Sequence, residues 1–139
     1  MAVRAGRGAD ALSPKRGGCH CGAVAWSAML PDEITAEACN CSVCAQIGYQ
    51  HVIVPAARFT LLSNPAALSE YRWNTCVARH LFCRTCGVKS HYVPRSNPDG
   101  YSLNLRCMDR AQFARVTIRD FDGRNWEANA GALASLSRD

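Results

Sequence analysis

The sequence predicts a single, mainly β domain of short antiparallel strands with few short helices. Three observations lead there. The chain has 139 residues, 48% of them hydrophobic and 19% charged, which suits one globular core. Turn signals recur about every eight to twelve residues between short apolar or β-branched runs. No repeat and no shift in composition marks a second domain after Gly17.

In chain order, residues 1–16 read as a disordered basic tail and 17–139 as the folded domain. Arg4, Arg7, Lys15 and Arg16 against Asp10 leave +3 in that tail. The body then carries only +2 of the net +5, which does not describe a dedicated nucleic-acid binder. Val24, Trp26, Ala28 and Leu30 repeat with period two and predict a strand over Ala23–Leu30. Thr35–Cys39 leads into a cysteine-rich loop, and Ser42–Gly48 predicts one helical turn. His51–Val54, Phe59–Leu62, Leu68–Trp73, Val77–Phe82, Val88–Val93, Tyr101–Leu105 and Val116–Phe121 read as further strands. Asp109 is placed to cap a short helix over Asp109–Arg115, and Trp126–Leu136 reads as a C-terminal helix.

No apolar run is long enough to span a membrane, and Met1–Lys15 lacks the apolar stretch of a signal peptide. Nine cysteines in such a chain point to a reducing compartment, cytoplasmic or nuclear, and to metal rather than disulfides. Seven of them form three clusters: Cys19 and Cys21; Cys39, Cys41 and Cys44; Cys83 and Cys86. Seven divides as four plus three. Cys19, Cys21, Cys83 and Cys86 would close a structural zinc site, since four thiolates leave no position for substrate. Cys83-Arg84-Thr85-Cys86-Gly87 is the turn such sites use, with the glycine letting the backbone fold toward sulfur.

Cys39, Cys41 and Cys44 would hold a second zinc with one vacancy, the arrangement of a catalytic ion. Three thiolates leave about −1 of net charge on a divalent ion, which favours a soft ligand such as a thiol. Competing readings are an iron–sulfur cluster, a second structural zinc completed by His51, His80 or Cys76, and a different pairing of clusters. Cys76 and Cys107 fall outside the clusters and read as small hydrophobes. His51 is the best-placed histidine for proton transfer, and His80 is expected to face the sulfurs near Cys83. Arg58, Arg95 and Arg106 are candidates to meet a peptide carboxylate.

Three motifs, in order, resemble the glutathione-dependent formaldehyde-activating enzyme family. They are Gly18-Cys19-His20-Cys21-Gly22-Ala23-Val24, Cys39-Asn40-Cys41-Ser42-Val43-Cys44 and Phe82-Cys83-Arg84-Thr85-Cys86-Gly87. The sequence looks closest to the branch containing centromere protein V. It shares with that branch Pro94-Arg95-Ser96-Asn97-Pro98-x-Gly100, His51-x-Ile53-Val54-Pro55-Ala56 and Phe121-x-Gly123-x-x-Trp126-Glu127. The resemblance runs from Gly17 to Trp126 and implies a fold similar to the Mss4-like group. It also implies two zinc ions, structural on Cys19, Cys21, Cys83 and Cys86 and catalytic on Cys39, Cys41 and Cys44. The implied activity joins glutathione and formaldehyde to S-(hydroxymethyl)glutathione, formally a carbon–sulfur lyase in reverse. The branch implies an alternative, a non-catalytic zinc scaffold with a protein or chromatin partner.

Overall fold

The computed structural model, which describes residues 11–73, 76–125, 129 and 131–137, is built around β2 (Ala25–Leu30). The period-two face is real: Val24, Trp26, Ala28 and Leu30 are each 1% exposed or less. Side chains alternate across a strand, so one apolar register makes one buried face. β2 is the middle strand of a three-stranded sheet, between β1 (Ser13–Gly18) and β5 (Phe59–Leu61).

Against it packs a five-stranded sheet. Its order is β10 (Arg115–Phe121), β3 (Glu33–Cys39), β4 (Gln50–Pro55), β9 (Gly100–Asn104) and β8 (His91–Tyr92). Ile34, Ala36, Val52, Val54 and Leu103 from this sheet join the β2 face in one core. The buried Trp26 indole N–H donates to Ser90 Oγ at 3.0 Å, which offsets the cost of burying it. β6 (Leu68–Tyr71) and β7 (His80–Cys83) form a separate hairpin. Among the described residues the α-helices are short, α1 (Ser42–Ile47) and α2 (Gly131–Ala134). No helix of the described residues is long and apolar enough to cross a membrane.

The fold class is therefore mainly β, with antiparallel ladders and one exception. β10 runs parallel to β3, in register from Arg115 opposite Glu33 to Phe121 opposite Cys39. Arg119 crosses this ladder to Glu37, with N···O distances of 2.7 and 3.3 Å. The direction matters for function, because it brings the turn after Phe121 to the cysteine loop after Cys39. An antiparallel β10 would carry that turn to the far end of the sheet.

The structure corrects the expected tail. Ser13–Arg16 are not disordered but belong to β1, paired with β2 from Ser13 opposite Leu30 to Gly18 opposite Ala25. The Lys15 side chain is 7% exposed, with Nζ 2.7 Å from the Asp32 carboxylate and 5.6 Å over the Phe113 ring. Its stem is covered while its charge finds a partner. Residues 1–10 of the expected tail lie outside the described residues.

Other segments are shorter than expected. Leu68–Trp73 settles as Leu68–Tyr71, Val77–Phe82 as His80–Cys83, and Val88–Val93 as His91–Tyr92. The Asp109 cap is present, accepting from the Ala111 N–H at 2.9 Å, but it starts a 3-10 turn over Arg110–Gln112. Of the expected C-terminal helix, Gly131–Ala134 is helical and Ser135–Ser137 a 3-10 turn, while residues 126–128 and 130 lie outside the described residues.

Candidate metal centres

Two groups of thiols converge, and each can hold a metal ion. In the first, the four sulfurs of Cys19, Cys21, Cys83 and Cys86 lie within 4.8 Å of one another. Cys19 and Cys21 come from the turn between β1 and β2, Cys83 from the end of β7 and Cys86 from the turn beyond it. Sγ–Sγ distances are 3.7 Å for Cys19–Cys21 and 3.6 Å for Cys21–Cys83. A tetrahedron with zinc–sulfur bonds of ~2.3 Å has edges of roughly 3.8 Å, so the donor set fits that ion.

Backbone amides are aimed at these sulfurs. Val24 N–H meets Cys19 Sγ at 3.2 Å, and Cys86 and Thr85 N–H meet Cys83 Sγ at 3.4 and 3.3 Å. The amides of Cys86 and then Thr85 hold the Cys83 thiol below its ordinary range. The amide of Val88, then that of Cys21, lowers Cys86 to about 6. Such donors favour the thiolate a metal needs. The turn depends on Gly87, whose φ of +80 an L side chain rarely adopts, and its N–H closes on Cys83 O at 2.8 Å.

In the second group, the sulfurs of Cys39, Cys41 and Cys44 lie within 4.8 Å of one another. Cys39 ends β3, Cys41 caps α1, and Cys44 is in its first turn. Among the described residues no nitrogen of His51 or His80, and not the Cys76 sulfur, belongs to this donor group. As bare thiols the three share a charge unequally. Hydrogen bonds from Cys39 and Cys44 lower Cys41 to about 2, while those with Cys39 and Cys41 push Cys44 up. A divalent cation bound there would take the place of the protons such a cluster otherwise shares.

The loop is clasped by the turn that parallel β10 delivers. Asn40 Oδ1 accepts from Arg124 N–H at 2.9 Å, Asn40 Nδ2 donates to Asp122 at 3.0 Å, and Arg124 Nε donates to Asn40 O at 3.1 Å. Gly123 sits against the sulfurs, where a Cβ would come within 2.3 Å of Cys39 Sγ. Sequence reading missed this clasp, whose one local trace is the Asp122-Gly123 turn.

The three thiols open into a cavity of about 400 Å³ that includes His51, His80, Trp73, Tyr92, Arg95 and Arg124 in its wall. His51 is not a free proton carrier. It is 6% exposed, with Nε2 3.3 Å from Cys44 Sγ and Nδ1 2.8 Å from Ser102 Oγ. Burial lowers it to about 3, so it is neutral. Beside a Cys44 thiolate its Nε2–H donates to sulfur and Nδ1 accepts from the Ser102 hydroxyl, an arrangement that orients a ligand.

His80 also departs from expectation. Its ring lines the cavity of the three-thiol loop and stacks on Tyr92, with centroids 5.0 Å apart. Of the three candidate arginines, Arg95 lines this cavity. Arg106 is not part of its wall and its Nε donates to Gly48 O at 2.8 Å, and Arg58 lies in the turn Ala56–Arg58. Cys107 is half-buried, its thiol directed at Lys89 O at 3.9 Å.

A sequence profile described as glutathione-dependent formaldehyde-activating enzyme matches residues 14–122. A crystal structure of a Rhodobacter sphaeroides protein is similar, with a TM-score of 0.62 and 31% identity. The match covers 74% of this chain and 98% of that one. The chain belongs to the glutathione-dependent formaldehyde-activating enzyme family.

Proposed function

We propose that the chain is a zinc-dependent enzyme of carbon–sulfur lyase type that forms or cleaves a thiol–aldehyde adduct such as S-(hydroxymethyl)glutathione. Cys39, Cys41 and Cys44 would hold the catalytic zinc, and Cys19, Cys21, Cys83 and Cys86 a structural one. The observation that carries this reading is a three-thiol donor group that opens into a cavity of about 400 Å³. When bound there, the ion supplies a Lewis-acidic position that lowers the pKa of an incoming thiol from its free value of about 8.5.

The chain's own residues account for the rest. The Gly123 turn packs against Cys39 Sγ and the Asn40 clasp ties down the loop that carries the three sulfurs. His51 donates to Cys44 and so draws off part of the charge that three thiolates accumulate. Trp73, Phe121 and Tyr92 give the cavity apolar walls, which restrict water near the reacting sulfur. The reaction conserves atoms: the thiol sulfur bonds the aldehyde carbon, the carbonyl π pair moves onto oxygen, and oxygen takes up one proton to become a hydroxyl as the thiol gives one up. Cleavage reverses each step.

The four-thiol group would be structural. It joins Cys21 to Cys83 across 62 positions and includes a core residue, so an ion there restrains the unfolded chain over a long loop. No disulfide joins the seven clustered cysteines, which suits a reducing, cytoplasmic setting.

The test is NMR exchange between free glutathione with formaldehyde and their adduct. Protein should accelerate it, and Cys41→Ala should remove the acceleration. Exchange that is equally fast with Cys41→Ala would leave the chain a zinc scaffold.

A further inference from the structure

We propose that His80, held in one tautomer by Lys89, is the hydrogen-bond and proton donor to the oxygen of the thiol–aldehyde adduct. This rests on the functional reading above and names a residue for a step that reading leaves unassigned.

Three observations support it. Lys89 Nζ lies 2.7 Å from His80 Nδ1. An ammonium has donors and no acceptor, so Nδ1 accepts and the ring hydrogen sits on Nε2. Second, the ring is immobilised. It is 7% exposed, stacks on Tyr92 at an interplanar angle of 12°, and has the Tyr71 ring 6.2 Å away on the paired strand. Lys89 is itself fixed 3.8 Å over Tyr92 and 5.2 Å over Tyr49. Third, Nε2 has somewhere to point. Among the described residues no buried side-chain nitrogen lacks a partner, and the contact His80 makes is through Nδ1. Nε2 is therefore accessible, and His80 lines the thiol cavity whereas Lys89 does not.

The chemistry needs such a group. When sulfur adds to the carbonyl carbon, the π pair moves onto oxygen, and an unassisted alkoxide is costly away from bulk water. The three cysteines are committed as metal donors, and both nitrogens of His51 are occupied. Burial, and then the Lys89 charge, lower His80 to about 4, so it stays neutral and its Nε2–H remains a donor.

In the addition step the S–C bond forms as the carbonyl π bond breaks. Oxygen takes the Nε2 proton as Nδ1 takes one from Lys89. In the reset Nδ1 returns its proton to Lys89, which burial lowers to about 8, and Nε2 regains one from solvent, replacing the one the thiol released. The other groups near His80 do not compete for this role. Arg79 is paired with Glu70 at 3.0 Å, Tyr92 stacks its ring face on His80, the Tyr71 ring lies tilted beside it, both nitrogens of His51 are engaged by Cys44 and Ser102, and Cys41 belongs to the donor group.

The experiment compares His80→Ala, His80→Gln and Lys89→Met with wild type, all fully zinc-loaded. In His80→Ala, kcat for adduct formation should fall about 10²-fold with little change in KM for glutathione. His80→Gln, whose amide N–H stands near Nε2–H, should recover part of the loss. Lys89→Met should remove the fall in rate expected above about pH 8. A readout independent of activity is the ¹⁵N NMR tautomer of His80: Nε2–H in wild type and a mixture in Lys89→Met. An Nδ1–H tautomer in wild type would overturn the proposal. So would unchanged kcat in His80→Ala while Cys41→Ala is inactive, with the functional reading left standing. Absence of exchange in wild type would overturn both.

Discussion

Replacing Gly123 with alanine should remove the metal from the three-thiol loop and leave the four-thiol group loaded. The new Cβ would lie 2.3 Å from Cys39 Sγ, 3.1 Å from Cys41 Cβ and 3.4 Å from Cys41 N. Comfortable heavy-atom contacts begin at ~3.5 Å, so sulfur or backbone must move by roughly 1.2 Å. Neither side retreats easily, because Phe121 and Cys39 are register partners two residues from the contact or at it. Metal ligands tolerate about 0.2 Å of misplacement, so Cys39 is lost as a donor. The overpacking should also cost about 1–3 kcal/mol of stability. Metal analysis after gel filtration should fall from two ions per chain, one for each thiol group, to one. The thermal transition should stay cooperative at a lower midpoint, and adduct exchange should vanish. Two ions bound at unchanged affinity, with exchange intact, would refute the claim that this close approach builds the open site.

Three further outcomes follow from the structure. His51→Ala removes the donor to Cys44 Sγ, so competition with a chelator should show a 10–100-fold weaker loop metal while the other ion is retained. His91 is 2% exposed among Trp26, Phe59 and Tyr101, and burial lowers it from 6.5 to about 4. Above pH 6.5 it is neutral folded and unfolded. As pH falls toward 4 the unfolded chain binds the proton first, so stability drops by up to about 3 kcal/mol. His91→Gln should flatten that acid limb in denaturant titrations run from pH 7.5 to 4. Finally, removing residues 1–16 should lower the thermal midpoint, because Ser13–Arg16 pair with β2 and Lys15 contacts Asp32.

Much of the molecule was legible locally. The β2 face follows from apolar side chains at alternate positions, and spacing with the coordination preference of zinc favoured the four-plus-three division of the thiols while leaving other pairings open. What was not legible depends on partners distant in sequence. Ser-Pro-Lys-Arg-Gly-Gly carries no strand pattern, yet it becomes β1 because the open edge of β2 offers its backbone a ladder. Val116–Phe121 reads as a strand, but nothing in it says that it runs parallel to β3. That direction is what sets Gly123 against Cys39. His80 was assigned to the nearer cysteines along the chain. In a strand, though, the face a side chain occupies is decided by register, and pairing of β7 with β6 leaves its ring in the cavity wall.

The central claim is one saturated ion and one with room for a substrate thiol. Cadmium-113 NMR of the fully loaded protein tests it most directly, because each site reports its own ligand set. Two resonances should appear, and glutathione should move one toward the position of a four-sulfur site while leaving the other fixed. A single resonance at full loading, or two that both ignore the thiol, would contradict the account.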